Sequence, residues 1–105
     1  MASVKPISNE IYEDLKAIEE DEAFKEARAI YKALEKNPYL GEPLHDRPDL
    51  GIYLQDCYKV YFYNKKYRVV YTINEENEII VIVIAIGKRD KLEVYKEADK
   101  RITEN

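Results

Sequence analysis

Apolar positions along the chain follow two periods, and these separate predicted strands from predicted helices. Residues 58–63 and 67–73 alternate between apolar and polar side chains, the pattern of a strand with one covered face. Residues 79–86 form a continuous, mostly β-branched run, typical of a central strand buried on both faces. Residues 3–7 are a further short strand candidate. The second half of the chain therefore supplies most of the predicted sheet.

Three segments repeat apolar residues at helical spacing. Ser8 or Asn9 is suited to cap the first helix, Asp21 the second and Asp90 the third. The apolar stripes are Ile11, Leu15 and Ile18 in the first helix, Phe24, Ala27, Tyr31 and Leu34 in the second, and Leu92, Tyr95, Ala98 and Ile102 in the third. Residues 37–54 contain three prolines and two glycines, which predicts a loop.

Side-chain parity divides the predicted hairpin into an apolar and a polar face. Successive strand residues point to opposite faces, so Lys59 and Tyr61 share one face. A two-residue hairpin loop, Asn64–Lys65 or Lys65–Lys66, places Arg68 on that face, whereas a three-residue loop would mix apolar and polar side chains. The predicted polar face displays Lys59, Tyr61, Tyr63, Arg68 and, at the end of the third strand, Lys88 or Arg89.

Two interpretations of this polar face remain open from the residue types. It is either a solvated sheet surface whose lysines discourage edge pairing, or an anion site for a phosphate backbone. The formal net charge of −4 speaks against a nucleic-acid binder for the chain as a whole. However, residues 1–56 carry 7 basic and 13 acidic side chains, while residues 57–105 carry 10 and 8. A local basic patch on an acidic body is therefore compatible with the sequence.

Other polar residues are interpreted as structural. His45, the only histidine, lies in the predicted loop without a serine or cysteine predictably beside it, so it is assigned to the connection rather than to catalysis. The acidic run at residues 19–22 is interpreted as a solvated turn, since no further ligand is spaced to complete a metal site. The sequence contains no Gly-rich phosphate loop and no zinc spacing, so we expect no metal and no cofactor.

Length and composition favour one domain over residues 1–105 with a modest core. Cys57 is the only cysteine, which excludes an intrachain disulfide, and it is expected to be a buried small hydrophobe. The sequence shows no apolar leader segment and no run approaching the roughly 18 apolar residues of a membrane span. We therefore expect a soluble cytoplasmic protein with no membrane partner.

Four motifs carry a resemblance to a known family: YKVYF at 58–62, YRVVY at 67–71, IGKR at 86–89 and EVYKEADKRI at 93–102. Together they resemble the RelE/ParE superfamily of bacterial type II toxins, most closely its RelE-like mRNA interferases. The resemblance implies an α+β, RelE-like fold in which a small curved antiparallel sheet packs against two N-terminal helices, with a C-terminal helix.

The resemblance also implies a function. Members of the RelE branch cleave mRNA in the ribosomal A site without metal, by attack of the 2′-OH. The implied partners are a cognate antitoxin and a ribosome with mRNA, operator DNA is reached only through the antitoxin, and the setting is the bacterial cytoplasm. Tyr61 departs from the family, because the best-known RelE enzymes have a second lysine there. The alternatives are a ParE-like gyrase-inhibiting toxin and a catalytically lapsed toxin acting as an antitoxin-bound co-repressor.

Matching the motifs residue by residue implies a catalytic set of Lys59, Tyr61, Arg68, Arg89 and Tyr95. The two arginines would donate to the phosphate, and Tyr95 would stack on a base. Lys59 is favoured as the base or proton shuttle, with Tyr61 as a hydrogen-bonding orienter. The candidates for contact with the RNA backbone are Lys65, Lys66 and Lys88.

Overall fold

The computed structural model describes residues 2–88 and 92–104. Its strands are β1 (Ser3–Pro6), β2 (Glu42–Pro43), β3 (Cys57–Phe62), β4 (Tyr67–Asn74) and β5 (Ile80–Lys88); its helices are α1 (Glu10–Lys16), α2 (Asp21–Lys36) and α3 (Glu93–Glu104). Within these residues the strands form one sheet in the order β1, β5, β4, β3, β2. The predicted strands and helices are confirmed, and β2 is an addition within the segment predicted to be a loop.

The starts of α1 and α2 follow local side-chain chemistry. Asn9 occupies the cap position of α1, and the hydroxyl of the preceding Ser8 accepts a hydrogen bond from the backbone N–H of Glu10 at 3.3 Å. Asp21 was predicted to cap α2, but it is the first helical residue, and Glu20 occupies the cap position. The Asp21 carboxylate still complements the positive end of the helix dipole there. The predicted cap of the third helix, Asp90, lies outside the described residues.

The sheet is mixed, which corrects the prediction of an antiparallel sheet. β3, β4 and β5 are antiparallel as predicted, but β1 runs parallel to β5, with Ser3 opposite Ile80 and Pro6 opposite Val83. Parallel neighbours need a long connection, and the chain supplies one because α1, α2 and three strands separate β1 from β5. The apolar pattern of a four-residue strand does not reveal the direction of its partner.

The β3–β4 hairpin has one of the two registers predicted for a two-residue loop. Tyr61 lies directly opposite Arg68. The turn is closed by a 3.0 Å hydrogen bond from the N–H of Lys66 to the carbonyl of Tyr63. Its central residues, Asn64–Lys65, have φ angles of 55° and 65°, the left-handed values of a two-residue hairpin turn. The loop is therefore the two-residue loop Asn64–Lys65, and neither Lys65–Lys66 nor a three-residue loop is observed.

Both faces of the sheet are covered by apolar cores. The core against α1 and α2 includes Ile11, Ala27, Leu34, Val69, Tyr71, Val81 and Val83. The core against α3 includes Ile52, Leu54, Cys57, Val70, Ile84, Ala85, Val94 and Ala98. β5 serves both cores, as predicted, and a bulge opposite Val70 and Tyr71 turns the consecutive residues Ile84 and Ala85 to the α3 side.

Two predicted helical stripes are correct in part. In α2, Ala23 and Ile30 are buried, whereas Phe24 is 38% exposed. In α3, Arg101 is buried and Ile102 is 37% exposed. The sequence pattern therefore located both helices but assigned part of each buried face to a neighbouring residue.

Gly41 lets the segment after α2 pass close to the sheet. A Cβ atom at this position would lie 2.7 Å from the carbonyl oxygen of Lys59 and 2.8 Å from the hydroxyl of Tyr71. That hydroxyl accepts a hydrogen bond from the N–H of Gly41 at 2.9 Å and donates to the carbonyl of Pro38 at 2.8 Å. The absence of a side chain at Gly41 is therefore a packing requirement.

We expect Gly41→Ala to lower the free energy of unfolding by about 1–3 kcal/mol, because the added methyl group must displace a backbone carbonyl. Gly87→Ala is the matched control, since a Cβ there meets the Val94 side chain at an ordinary 3.5 Å. Urea unfolding of both variants and the wild type measures the difference. Equal stability of the two variants would contradict this account.

Candidate active site

The β3–β4 hairpin brings three of the predicted site residues together. Lys59 and Tyr61 are two residues apart on β3 and so share a face, and Arg68 on β4 pairs with Tyr61. The guanidinium carbon of Arg68 lies 4.4 Å from the centroid of the Tyr61 ring, and the ammonium nitrogen of Lys59 lies 5.0 Å from it. The prediction that Lys59, Tyr61 and Arg68 share one face is confirmed.

Tyr95 reaches this cluster from α3. The start of α3 packs beside the end of β5, where Val94 adjoins Gly87. The centroid of the Tyr95 ring lies 5.0 Å from the guanidinium carbon of Arg68. Arg68 therefore contacts the rings of both Tyr61 and Tyr95, whose electron-rich faces attract a cation.

Arg68 is buried, so it does not lie on a solvated surface, which was one of the two interpretations of the predicted polar face. Arg68 and Tyr95 are each only 6% exposed. Parity identifies the face on which Arg68 lies, but α3 and the segment at residues 44–54 cover that face through long-range contacts. The predicted stacking of Tyr95 on a base needs an exposed ring, so it would require α3 to move.

The cluster alters the acidity of Tyr61. Its pKa is lowered below the ordinary tyrosine value, first by a side-chain hydrogen bond with Lys59 and then by the positive charges of Arg68 and Lys59, while burial and Glu42 oppose the shift. The hydrogen bond from the ammonium favours the phenolate because it satisfies the charge that forms on the oxygen. Lys59 and Arg68 therefore both favour the ionised form of Tyr61.

A cleft of about 270 Å³ opens beside the cluster. Its walls are formed by Pro43, Leu44, His45, Arg47, Ile52, Leu54, Lys59, Arg68, Leu92 and Tyr95. His45 is the residue that sequence reasoning set aside. The path that brings it here depends on a long-range bond, the N–H of Leu44 to the carbonyl of Cys57 at 2.8 Å. No local sequence signal marks that path.

Two of the three lysines predicted to contact RNA lie on different faces of the sheet. Lys65 belongs to the cluster, because its ammonium nitrogen is 5.7 Å from the centroid of the Tyr61 ring. Lys88 pairs with Tyr67, so its side chain leaves the sheet on the side of α1 and α2. The residue of β5 that faces Arg68 is Gly87.

The third lysine, Lys66, also lies away from the cluster. The Glu20 carboxylate, at the junction of α1 and α2, accepts hydrogen bonds from the Lys66 ammonium and from the Tyr67 hydroxyl. The bond with Lys66, followed by that with Tyr67, lowers the pKa of Glu20 to about 2. Tyr63 also leaves the predicted polar face and packs against the α1 and α2 core, because its φ of 52° turns the chain out of the strand.

Arg89, predicted to donate to the phosphate, lies outside the described residues. Among the residues that are described, no group of three or more His, Cys, Asp or Glu side chains is placed to hold a metal ion. None of the helices in residues 2–88 and 92–104 combines the length and apolarity needed to cross a membrane.

Comparison with known proteins supports the resemblance carried by the motifs. A family model described as the ParE toxin of the type II toxin–antitoxin system parDE matches residues 7–93. The mRNA interferase toxin RelE of Escherichia coli (strain K12) is 47% identical over 49 residues, which cover 47% of this chain and 50% of that protein. The chain thus spans about half the length of the curated relatives it matches.

Solved structures extend the likeness to the whole fold. The isolated E. coli RelE toxin superposes with a TM-score of 0.66 at 24% identity, covering 97% of this chain and 99% of that one. A mutant of E. coli RelE in complex with a peptide of the antitoxin RelBc gives a TM-score of 0.61 at 25% identity, covering 93% and 95%. The predicted RelE-like fold is confirmed.

We expect Glu20→Gln to destabilise the protein at pH 7, where the ionised carboxylate binds Lys66 and Tyr67. Because folding depresses the pKa of Glu20, its contribution is present at neutral pH and is lost as the pH falls toward about 2. Urea unfolding between pH 7 and pH 2 should show the difference between wild type and variant shrinking with acidity. The exposed neighbour Glu19, changed to Gln, is the control, and a pH-independent difference for Glu20→Gln would refute the assignment.

Proposed function

We propose that this chain, which belongs to the ParE toxin family of type II toxin–antitoxin systems, is an endoribonuclease that cleaves mRNA on the ribosome. The observation that carries the proposal is the buried guanidinium of Arg68, in contact with two tyrosine rings and facing a cleft that Lys59 also lines. The identity of 47% with an E. coli mRNA interferase, over 49 residues, supports the same activity.

Metal-independent RNA cleavage requires three events. The 2′-OH loses a proton and attacks the adjacent phosphorus, the additional charge on the phosphorane is stabilised, and the 5′-oxygen is protonated as its bond to phosphorus breaks. Arg68 is assigned to the phosphorane, because its charge is permanent and its position is set before the substrate arrives. Arg89 is proposed as a second guanidinium for the same phosphate.

The proton transfers are assigned to the side chains beside Arg68. Lys59 is proposed as the base or proton shuttle, and Tyr61, whose ring centroid lies 5.0 Å from the Lys59 ammonium nitrogen, as the hydrogen-bonding residue that orients it. His45 lines the same cleft and is a further candidate, since an imidazole can both accept and donate a proton. Tyr95 is proposed to hold the Arg68 guanidinium in place, a role that its buried ring supports.

Charge supports dependence on the ribosome. A chain of net charge −4 has little electrostatic attraction for free RNA at physiological salt. Of the three lysines predicted to contact RNA, Lys65 adjoins the cluster, whereas Lys66 is bound to Glu20. A ribosome that presents mRNA in its A site would position the substrate, so the protein would not need to attract free RNA by charge. We place this action in the bacterial cytoplasm.

The proposed regulatory partner is a cognate antitoxin protein. The support is the family itself and the solved complex of a related RelE mutant with a peptide of the antitoxin RelBc. Operator DNA would be reached only through that antitoxin. The chain therefore has two proposed binding states, one with the antitoxin and one with the ribosome.

A gyrase-inhibiting activity of the ParE type is the second candidate, favoured by the description of the matching family model. A catalytically lapsed toxin that acts as an antitoxin-bound co-repressor is compatible with Tyr61 at the position of the usual second lysine. The Arg68 cluster favours the nuclease, because gyrase inhibition and co-repression do not need a preorganised phosphate site.

We expect the purified protein to cut mRNA on programmed ribosomes, to leave the same RNA intact without ribosomes, and to lose activity when the antitoxin encoded beside it is added. Primer extension maps the cuts, and a gyrase supercoiling assay on the same preparation tests the second candidate. Inhibited supercoiling with uncut mRNA would favour the ParE-like activity. Inactivity in both assays would favour the lapsed toxin.

We expect Lys59→Ala to reduce single-turnover cleavage on ribosomes by roughly 10²- to 10⁴-fold, as for loss of an acid–base group. Tyr61→Phe should be milder, because it removes one hydroxyl and keeps the ring beside Arg68. Lys96→Ala, which removes an exposed cation from α3, is the control. If Tyr61→Phe is as damaging as Lys59→Ala while both remain folded, the base is Tyr61.

We expect Arg68→Ala to reduce cleavage by roughly 10²- to 10³-fold, as for loss of one preorganised donor to the transition state. Its burial means that the change should also cost about 1–3 kcal/mol of stability, unlike truncation of a surface arginine. Arg68→Lys keeps the charge without the planar group, so it should recover stability more than rate. Melting curves set an assay temperature at which every variant is folded. Full activity of folded Arg68→Ala would exclude the proposed site.

A further inference from the structure

Arg101 is a second buried arginine, and it lies on α3 outside the cleft. It is 4% exposed. Its Nη1 and Nη2 atoms donate to the two carboxylate oxygens of Asp14, at 2.6 and 2.9 Å. Nη1 also donates to the carbonyl of Ile84 at 2.9 Å, and Nε donates to Glu97 at 3.0 Å. A two-point bond of this kind fixes direction as well as distance.

Asp14 extends the same connection to the sheet. Its carboxylate also accepts a hydrogen bond from the N–H of Ile86 at 3.0 Å. The pairing of β1 with β5 ends at Val83, so Asp14 and Arg101 bond the β5 backbone just beyond that point. One ion pair therefore joins α1, β5 and α3.

Two of the three elements joined by this ion pair, β5 and α3, border the candidate active site. β5 continues from Ile86 to Gly87, which pairs with Arg68. α3 carries Tyr95, Ala98 and Arg101 on its buried side. Because α3 is a continuous helix, holding Arg101 against Asp14 restrains both its position along β5 and its rotation. The restraint reaches the ring of Tyr95, which contacts the Arg68 guanidinium.

We propose that Arg101 and Asp14 are positioning residues that hold Tyr95 against Arg68. This role rests on the proposed function, because its purpose is to fix the guanidinium that binds the phosphate. Neither residue lines the cleft, so the ion pair acts on cleavage through Tyr95 and makes no contact of its own with substrate.

The test is whether the effect of the ion pair disappears when Tyr95 is absent. Arg101→Gln and Asp14→Asn are made in the wild type and in Tyr95→Ala, and single-turnover cleavage is measured on programmed ribosomes below the melting temperature of every variant. If the ion pair acts through Tyr95, each change should lower the cleavage rate of the wild type by about tenfold or more. The same change should lower the rate of Tyr95→Ala by less than about twofold.

Matched variants separate positioning from general stability. Lys100→Gln removes an exposed cation from the adjacent position of α3 and should change neither readout. Arg101→Lys keeps the charge but not the two-point geometry, so its rate should fall between those of wild type and Arg101→Gln. Deuterium exchange supplies a readout besides activity: α3 amides should exchange faster in Arg101→Gln than in Lys100→Gln, with β4 unchanged.

Equal slowing in the wild-type and Tyr95→Ala backgrounds would overturn the positioning role. If Arg101→Gln does not fold, Asp14→Asn and Arg101→Lys provide the same comparison. A folded wild-type protein that cleaves nothing would instead overturn the proposed function. In that case α3 exchange alone decides the inference: faster exchange in Arg101→Gln supports the restraint on α3, and unchanged exchange refutes it.

Discussion

Burial of the sheet on both faces is the constraint on which the rest of the structure depends. β4 and β5 direct Val69 and Val83 toward α1 and α2, and Val70 and Ile84 toward α3. Burial of this apolar surface is the dominant favourable contribution to folding. On the face covered by α3, the same burial also removes charged side chains from water: Arg68 and Arg101 lie there and are almost fully buried.

Two arginines meet this constraint in different ways. A buried cation is costly unless its environment compensates for lost hydration. Arg101 is compensated by Asp14 first, which raises its pKa above the ordinary value, and by the carbonyl of Ile84. Arg68 is contacted by the rings of Tyr61 and Tyr95, and a guanidinium held by aromatic rings can still donate hydrogen bonds to an anion. The first arrangement suits a structural link, and the second is the one proposed above to bind the phosphate.

Local patterns in the chain were enough to predict the main strands and helices, a two-residue hairpin loop, and the shared face of Lys59, Tyr61 and Arg68. These features depend on interactions between neighbours: the period of two in a strand, the period of 3.6 in a helix, and a turn in which Asn64–Lys65 adopt left-handed φ angles. The motifs around them were enough to indicate the family. The local patterns and motifs predicted which side chains lie together, but they did not predict how deeply those side chains are buried.

Long-range packing decided that β1 pairs with β5 in parallel, that Arg68 is buried, and that His45 lines the cleft. It also decided that Arg101, and not Ile102, lies on the buried side of α3. Each depends on groups far apart in the chain, whose interaction leaves no periodic trace in the sequence. The pattern of α3 favours burying the isoleucine. Arg101 is buried instead because Asp14, 87 positions away, brings a carboxylate to the same point and offsets the cost of removing its charge from water.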